Sequence, residues 1–112
     1  MNPDGAQAEE LALSFLLRQG LELKARNYTC RSGEIDLILL EGKTLVFVEV
    51  RMRRSQAFGG AAESITARKR ARLVSSARHY LAQQRDIPAC RFDAVLVDAE
   101  GRPTWIKNAF DE

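Results

Sequence analysis

The stretch Gly33-Glu34-Ile35-Asp36-Leu37-Ile38-Leu39-Leu40-Glu41-Gly42-Lys43-Thr44-Leu45-Val46-Phe47-Val48-Glu49-Val50-Arg51 decides the fold. Two strongly β-prone runs flank Gly42-Lys43, and a two-residue loop with glycine first suits a type II′ hairpin turn. That loop pairs Glu41 with Thr44, sets Leu40 opposite Leu45, Asp36 opposite Glu49 and Glu34 opposite Arg51. Directly opposed residues share a sheet face, with Cβ atoms about 4.5–5.5 Å apart. One face of the hairpin is then apolar throughout, with Ile35, Leu37 and Leu39 meeting Val46, Val48 and Val50. Left bare it would be an aggregation hazard, so a helix is expected to cover it. The other face is apolar near the turn (Ile38, Leu40, Leu45, Phe47) and charged at its open end, where Glu34, Asp36, Glu49 and Arg51 gather. Opposed carboxylates repel each other, and a hard divalent cation between them turns that cost into binding. The hairpin therefore reads as half of a metal site, with Asp36 and Glu49 as ligands and Glu34 as an ion-pair partner of Arg51.

Working outward, Asp4 can cap a helix that runs through Gln19, with Gly20 at the stop position. Ala8, Leu11, Ala12, Phe15 and Leu16 make its apolar stripe. Glu9 lies on the edge of that stripe, while Glu10 points toward the polar side. Leu21 to Arg26 alternates apolar and polar residues and reads as a first strand, with Tyr28 to Gly33 turning into the hairpin. Residues 54–62 are a glycine-containing loop without periodicity. Thr66 caps a second helix to about Gln84, whose inward side carries Leu73, Val74, Ala77, Tyr80 and Leu81. Arg91 to Asp98 is a fourth strand, and Thr104 to Phe110 a short last segment. Trp105 and Phe110 are expected to close the core, and the solitary His79 to be structural.

The order helix, three strands, helix, strand makes strand three, helix two and strand four a parallel crossover. Helix two then starts at the carboxyl end of strand three, beside Glu49 and Arg51. The amino end of the antiparallel second strand brings Asp36 there. Helix one begins at the same end with Glu9, and Lys69 and Arg70 lie in the first turns of helix two. Ligand sites favour the carboxyl ends of parallel strands. The expected fold class is α/β: a mixed β-sheet flanked by helices, in the order αβββαβ plus a short C-terminal strand.

At 112 residues the chain is expected to form one domain, 1–112, large enough for a core without staples. No stretch approaches the roughly 20 apolar residues that span a bilayer. The N-terminus lacks the pattern of a secretory signal, and Cys30 and Cys90 match no metal-ligand spacing, so reduced thiols and a cytoplasmic location are expected. The net charge of +2 hides an uneven distribution. Residues 51–85 carry nine basic side chains and one acidic, Glu63, while the remainder carries eight basic and fourteen acidic. Clustered arginine is what phosphate backbones attract, although a solvated helix face has the same composition.

Arg31-Ser32-Gly33-Glu34-Ile35-Asp36-Leu37-Ile38, followed by Leu45 to Arg51, resembles the signature of the YraN-like family of small bacterial proteins. The likeness extends through Ala8-Glu9, Phe58-Gly59-Gly60, Glu63-Ser64-Ile65, Lys69, His79-Tyr80-Leu81, Arg91-Phe92-Asp93 and Ile106 to Phe110. That family is similar in pattern to the PD-(D/E)XK nuclease superfamily, especially the archaeal-type Holliday junction resolvases. The resemblance implies a restriction-endonuclease-like core and a catalytic set of Glu9, Asp36, Glu49, Arg51 and Lys69. Asp36 and Glu49 would hold Mg²⁺ or Mn²⁺, Arg51 would take the lysine position of the motif, and Lys69 would be the accessory base of the following helix. Ser32 would lie near the scissile phosphate, with Arg31, Arg53, Arg54, Arg70 and Arg72 gripping the nucleic-acid backbone. A guanidinium does not act as a base, but it neutralises a phosphate. Two function classes follow: a metal-dependent endonuclease on branched or structured DNA, and a catalytically inactive nucleic-acid-binding module of the same fold. No membrane partner is expected, and a homodimer is the assembly to consider.

Overall fold

A computed structural model describes residues 4–53 and 66–110. The element order is α1 (Gly5–Arg18), β1 (Glu22–Cys30), β2 (Gly33–Glu41), β3 (Thr44–Arg53), α2 (Ala67–Leu81), β4 (Cys90–Asp98) and β5 (Pro103–Ile106). The α/β expectation holds. The five strands form one mixed sheet in the order β1-β2-β3-β4-β5, antiparallel except for the parallel β3–β4 pair that α2 bridges. Each helix covers one face of the sheet. Ala8, Ala12, Leu13 and Leu16 of α1 pack with Leu37, Leu39, Val46, Val48, Val95 and Val97. Leu73 and Ala77 of α2 pack with Ile35, Ile38, Leu45, Phe47, Phe92 and Phe110. Burying both faces suits a parallel crossover, whose strands are apolar on both sides.

Local chemistry explains the boundaries. Asp4 and Gln7 form a reciprocal capping box at the start of α1, and Gly20 follows its end at φ +97°. The Thr66 hydroxyl accepts the Lys69 N–H at 3.2 Å and starts α2, which ends at Leu81, a turn earlier than the spacing suggested. Gly42 has φ +62° and Lys43 is not among the positive-φ residues, as a type II′ turn requires. The ladder beside it runs from Glu41↔Thr44 to Leu37↔Val48, in the expected register.

Two expectations are corrected here. β1 does not stop at Arg26 but continues to Cys30, leaving only Arg31-Ser32 as the turn into β2. And Ile35 does not share a face with Leu37. The β1–β2 pairing passes from Arg26↔Leu37 to Tyr28↔Ile35, and both strands change faces across that step. Ala25 and Tyr28, three residues apart, both pack on the α2 side, as do Ile35 and Ile38. Strict alternation would have separated each pair. Asn27, between Arg26 and Tyr28 in β1, has φ +49°, a left-handed conformation that asparagine tolerates better than most residues, and β1 also carries a register shift between Leu23 and Ala25.

Candidate metal centre

Asp36 sits where the strands switch faces. Its Oδ2 accepts the Val50 N–H at 2.8 Å, one step beyond the end of the regular β2–β3 ladder. Because Ile35 turns toward α2, Glu34 turns toward α1, where Glu9 lies one helical turn in from the cap. The result is a group of three carboxylates, Glu9, Glu34 and Asp36, each offering an oxygen within 4.8 Å of the others. The pairing of Glu34 with Arg51 expected from simple register is therefore replaced. Asn27 instead donates its side-chain amide to Glu9 at 2.9 Å and to Glu34 at 3.4 Å.

Glu49 lies outside that trio but borders the same space. It is 6% exposed, buried at the carboxyl end of β3. Its Oε1 is 3.4 Å from Lys69 Nζ and 3.7 Å from Arg51 Nε. Arg51 Nε is itself buried, and among the described residues no hydrogen-bond acceptor reaches it. Burial first, then the charge on Glu49, pushes the Asp36 carboxyl up to about 7, with Glu9 adding to the effect and the Val50 N–H opposing it. A carboxyl displaced this far, by burial first and by like-charged neighbours second, marks a site where the lone ionised acid is poorly compensated. Oxygen donors from Glu9, Glu34, Asp36 and Glu49 are what Mg²⁺ or Mn²⁺ takes, so the residues fit the expected ion.

A cavity of about 380 Å³ opens onto this corner. Glu34, Asp36 and Glu49 form its acidic wall, and Arg68, Lys69 and Arg72, from the first two turns of α2, form its basic wall. The crossover geometry thus brings together Glu9, Asp36, Glu49, Arg51 and Lys69. The other expected phosphate contacts are more scattered. Arg31 and Ser32 are exposed on the β1–β2 turn, and Arg53 is half-buried at the end of β3. Arg70 lies over the Phe110 ring, 5.7 Å from its centroid. Arg54 and the 54–62 loop lie outside the described residues.

Two residues at the corner escaped the sequence reading as site members, Asn27 and Glu34. Asparagine is depleted in strands and tolerant of the left-handed region, so an Asn inside a β-prone run was the available signal. Arg68 was counted only as part of the basic segment. His79 shares a 2.5 Å hydrogen bond with the Tyr28 hydroxyl, which also accepts from Gln83. Cys30 and Cys90 are free thiols. Among the described residues no helix is long and apolar enough to cross a membrane.

A five-stranded mixed sheet, a helix on each face and acids at the crossover end define a small α/β protein consistent with a nuclease-like core. The chain belongs to the uncharacterised protein family UPF0102, the YraN-like family, whose model matches residues 8–97. It is 59% identical over 111 residues to a UPF0102 protein of Nitrosomonas europaea, covering 96% of this chain and 93% of that one. It is 54% identical over 114 residues to one from Pseudomonas paraeruginosa, covering 96% and 91% of the two chains. A third, from Psychromonas ingrahamii, is 49% identical over 112 residues, with 99% and 92% covered.

Proposed function

We propose that this protein is a Mg²⁺- or Mn²⁺-dependent endonuclease acting on branched or otherwise structured DNA. One observation carries the reading: a single cavity has carboxylates on one wall and arginine and lysine on the other. A phosphodiester presents the complementary chemistry, an anion to the basic wall and, through a shared cation, a ligand to the acidic wall. Asp36 and Glu49 would hold the ion with Glu9 and Glu34 beside them, and the ion when bound would supply Lewis acidity and an activated water. Lys69 and Arg72 would bind the non-bridging oxygens. The half-buried guanidinium of Arg51 would brace the same phosphate, since it gives fixed charge and donors but no base. The exposed Arg31-Ser32 turn and Arg53 at the end of β3 would extend the grip along the backbone.

Arg51 also favours a second reading, a nucleic-acid-binding module without cleavage, because it stands where the motif has lysine. The deciding experiment incubates the full chain with Mn²⁺ and four-way junction, flap or single-stranded DNA. Metal-dependent nicking that is abolished by Asp36→Asn or Glu49→Gln and kept or raised by Arg51→Lys supports the enzyme. Junction binding without cleavage in wild type and Arg51→Lys supports the module. In either case, removing Arg72 should lower the log–log salt slope of duplex binding by about 0.9. The binding stoichiometry would report whether one copy or two engage the DNA.

A further inference from the structure

We propose that Asn27 is a positioning residue: it holds Glu9 and Glu34 beside Asp36 and so sets the cation affinity of the corner without ligating the cation. The inference rests on the reading of this corner as a cation site.

Asn27 connects three otherwise separate pieces of chain. Its Nδ2 carries two hydrogens, and the two acceptors it meets come from different elements, Glu9 of α1 at 2.9 Å and Glu34 of β2 at 3.4 Å. Its backbone, at φ +49°, lies at the step where the β1–β2 pair changes faces, next to the stretch that carries Glu34. One residue therefore ties two of the three carboxylates, from different elements, to the same amide. Asn27 is exposed, so packing does not impose this conformation. A neutral double donor suits the task. It relieves repulsion between the acids and leaves their remaining lone pairs free, whereas a lysine there would compete with a metal for the same oxygens. Outer partners of this kind commonly account for 10- to 100-fold in metal affinity.

Asn27→Gly separates the two contributions, because glycine accepts the left-handed backbone but removes the amide. Mn²⁺ would be titrated by calorimetry into the full chain as wild type, Asn27→Gly, Glu9→Ala and the double variant, with melting temperatures recorded without metal. The expected result is Mn²⁺ binding weakened about 10-fold or more in Asn27→Gly, with a metal-free melting temperature close to wild type. Because Asn27 acts through Glu9, the double variant should bind only about threefold or less more weakly than Glu9→Ala alone. Equal affinity in wild type and Asn27→Gly overturns the positioning role, as do fully additive losses. Failure of wild type to bind Mn²⁺ at all overturns the cation site itself, and the role of Asn27 with it.

Discussion

A single carboxyl, Asp36, gives the metal-free protein a distinctive pH dependence. An aspartate in an unfolded chain titrates near about 3.9, whereas burial and the neighbouring Glu49 push this one up to about 7. Between those two values the folded protein holds a proton that the unfolded chain has released. The contribution of this carboxyl to stability should therefore be full below the unfolded value, fall as pH rises toward 7, and level off above it. Asp36→Asn keeps an acceptor for the Val50 N–H and removes the charge. It should flatten that part of the profile and stabilise the metal-free protein at pH 8 by on the order of 2 kcal/mol, allowing for partial solvent screening. Urea denaturation of both proteins at pH 5 and pH 8 checks this, and identical pH slopes would refute it.

Among the elements, α2 has the most to lose from one substitution. Its Thr66 cap satisfies the Lys69 N–H, and Arg68, Lys69 and Arg72 line the basic wall from the turns directly above. Thr66→Ala should cost about 1 kcal/mol, Thr66→Ser should restore most of it, and junction affinity should follow the same order. Thermal melts paired with filter binding test both halves of that statement. The elements were also where the sequence was most legible. Gly42-Lys43 specified the turn, the turn specified the register, and the crossover placed Glu49 and Lys69 at the end where helix one begins with Glu9. The rule of alternation misled at Ile35 and Glu34, because it assumes an unbroken extended ladder and the β1–β2 pair changes faces beside Asn27. A left-handed residue breaks the two-residue period that face assignments rest on, and the asparagine in a β-prone run was its one local sign. Similarly, the extension of β1 to Cys30 came from pairing with β2, a tertiary gain that local turn propensity does not report.

For the molecule as a whole, the buried carboxylate of Asp93 has the opposite character to that of Asp36. Asp93 is 1% exposed and fully partnered. It accepts from Arg91 through both oxygens, from the Trp105 indole N–H at 2.9 Å and from the Asn108 N–H at 2.9 Å. Arg91 continues to Glu41 at 2.8 Å, and Lys107 reaches the same Glu41 at 3.3 Å. This network clamps β5 and the Phe110 segment onto the sheet, far along the chain from the acid corner. Asp93→Ala leaves Arg91 without its buried partner and should cost about 3 kcal/mol. Its Mn²⁺ titration, measured well below the melting temperature, should match wild type; a changed affinity would mean that the two carboxylate sites are coupled. The sequential strand order matters in another way, during synthesis. Residues 5–53 hold α1 and a complete three-stranded meander, whose neighbours in space are neighbours along the chain, so it can assemble as soon as it leaves the ribosome. The outer edge of β3 must then wait for β4, from Arg53 to Cys90, which at ordinary elongation rates is on the order of a few seconds. For that interval a strand destined for the centre of the sheet is a border open to any passing chain, and the charges of Glu49, Arg51 and Arg53 along it are its guard against the wrong neighbour.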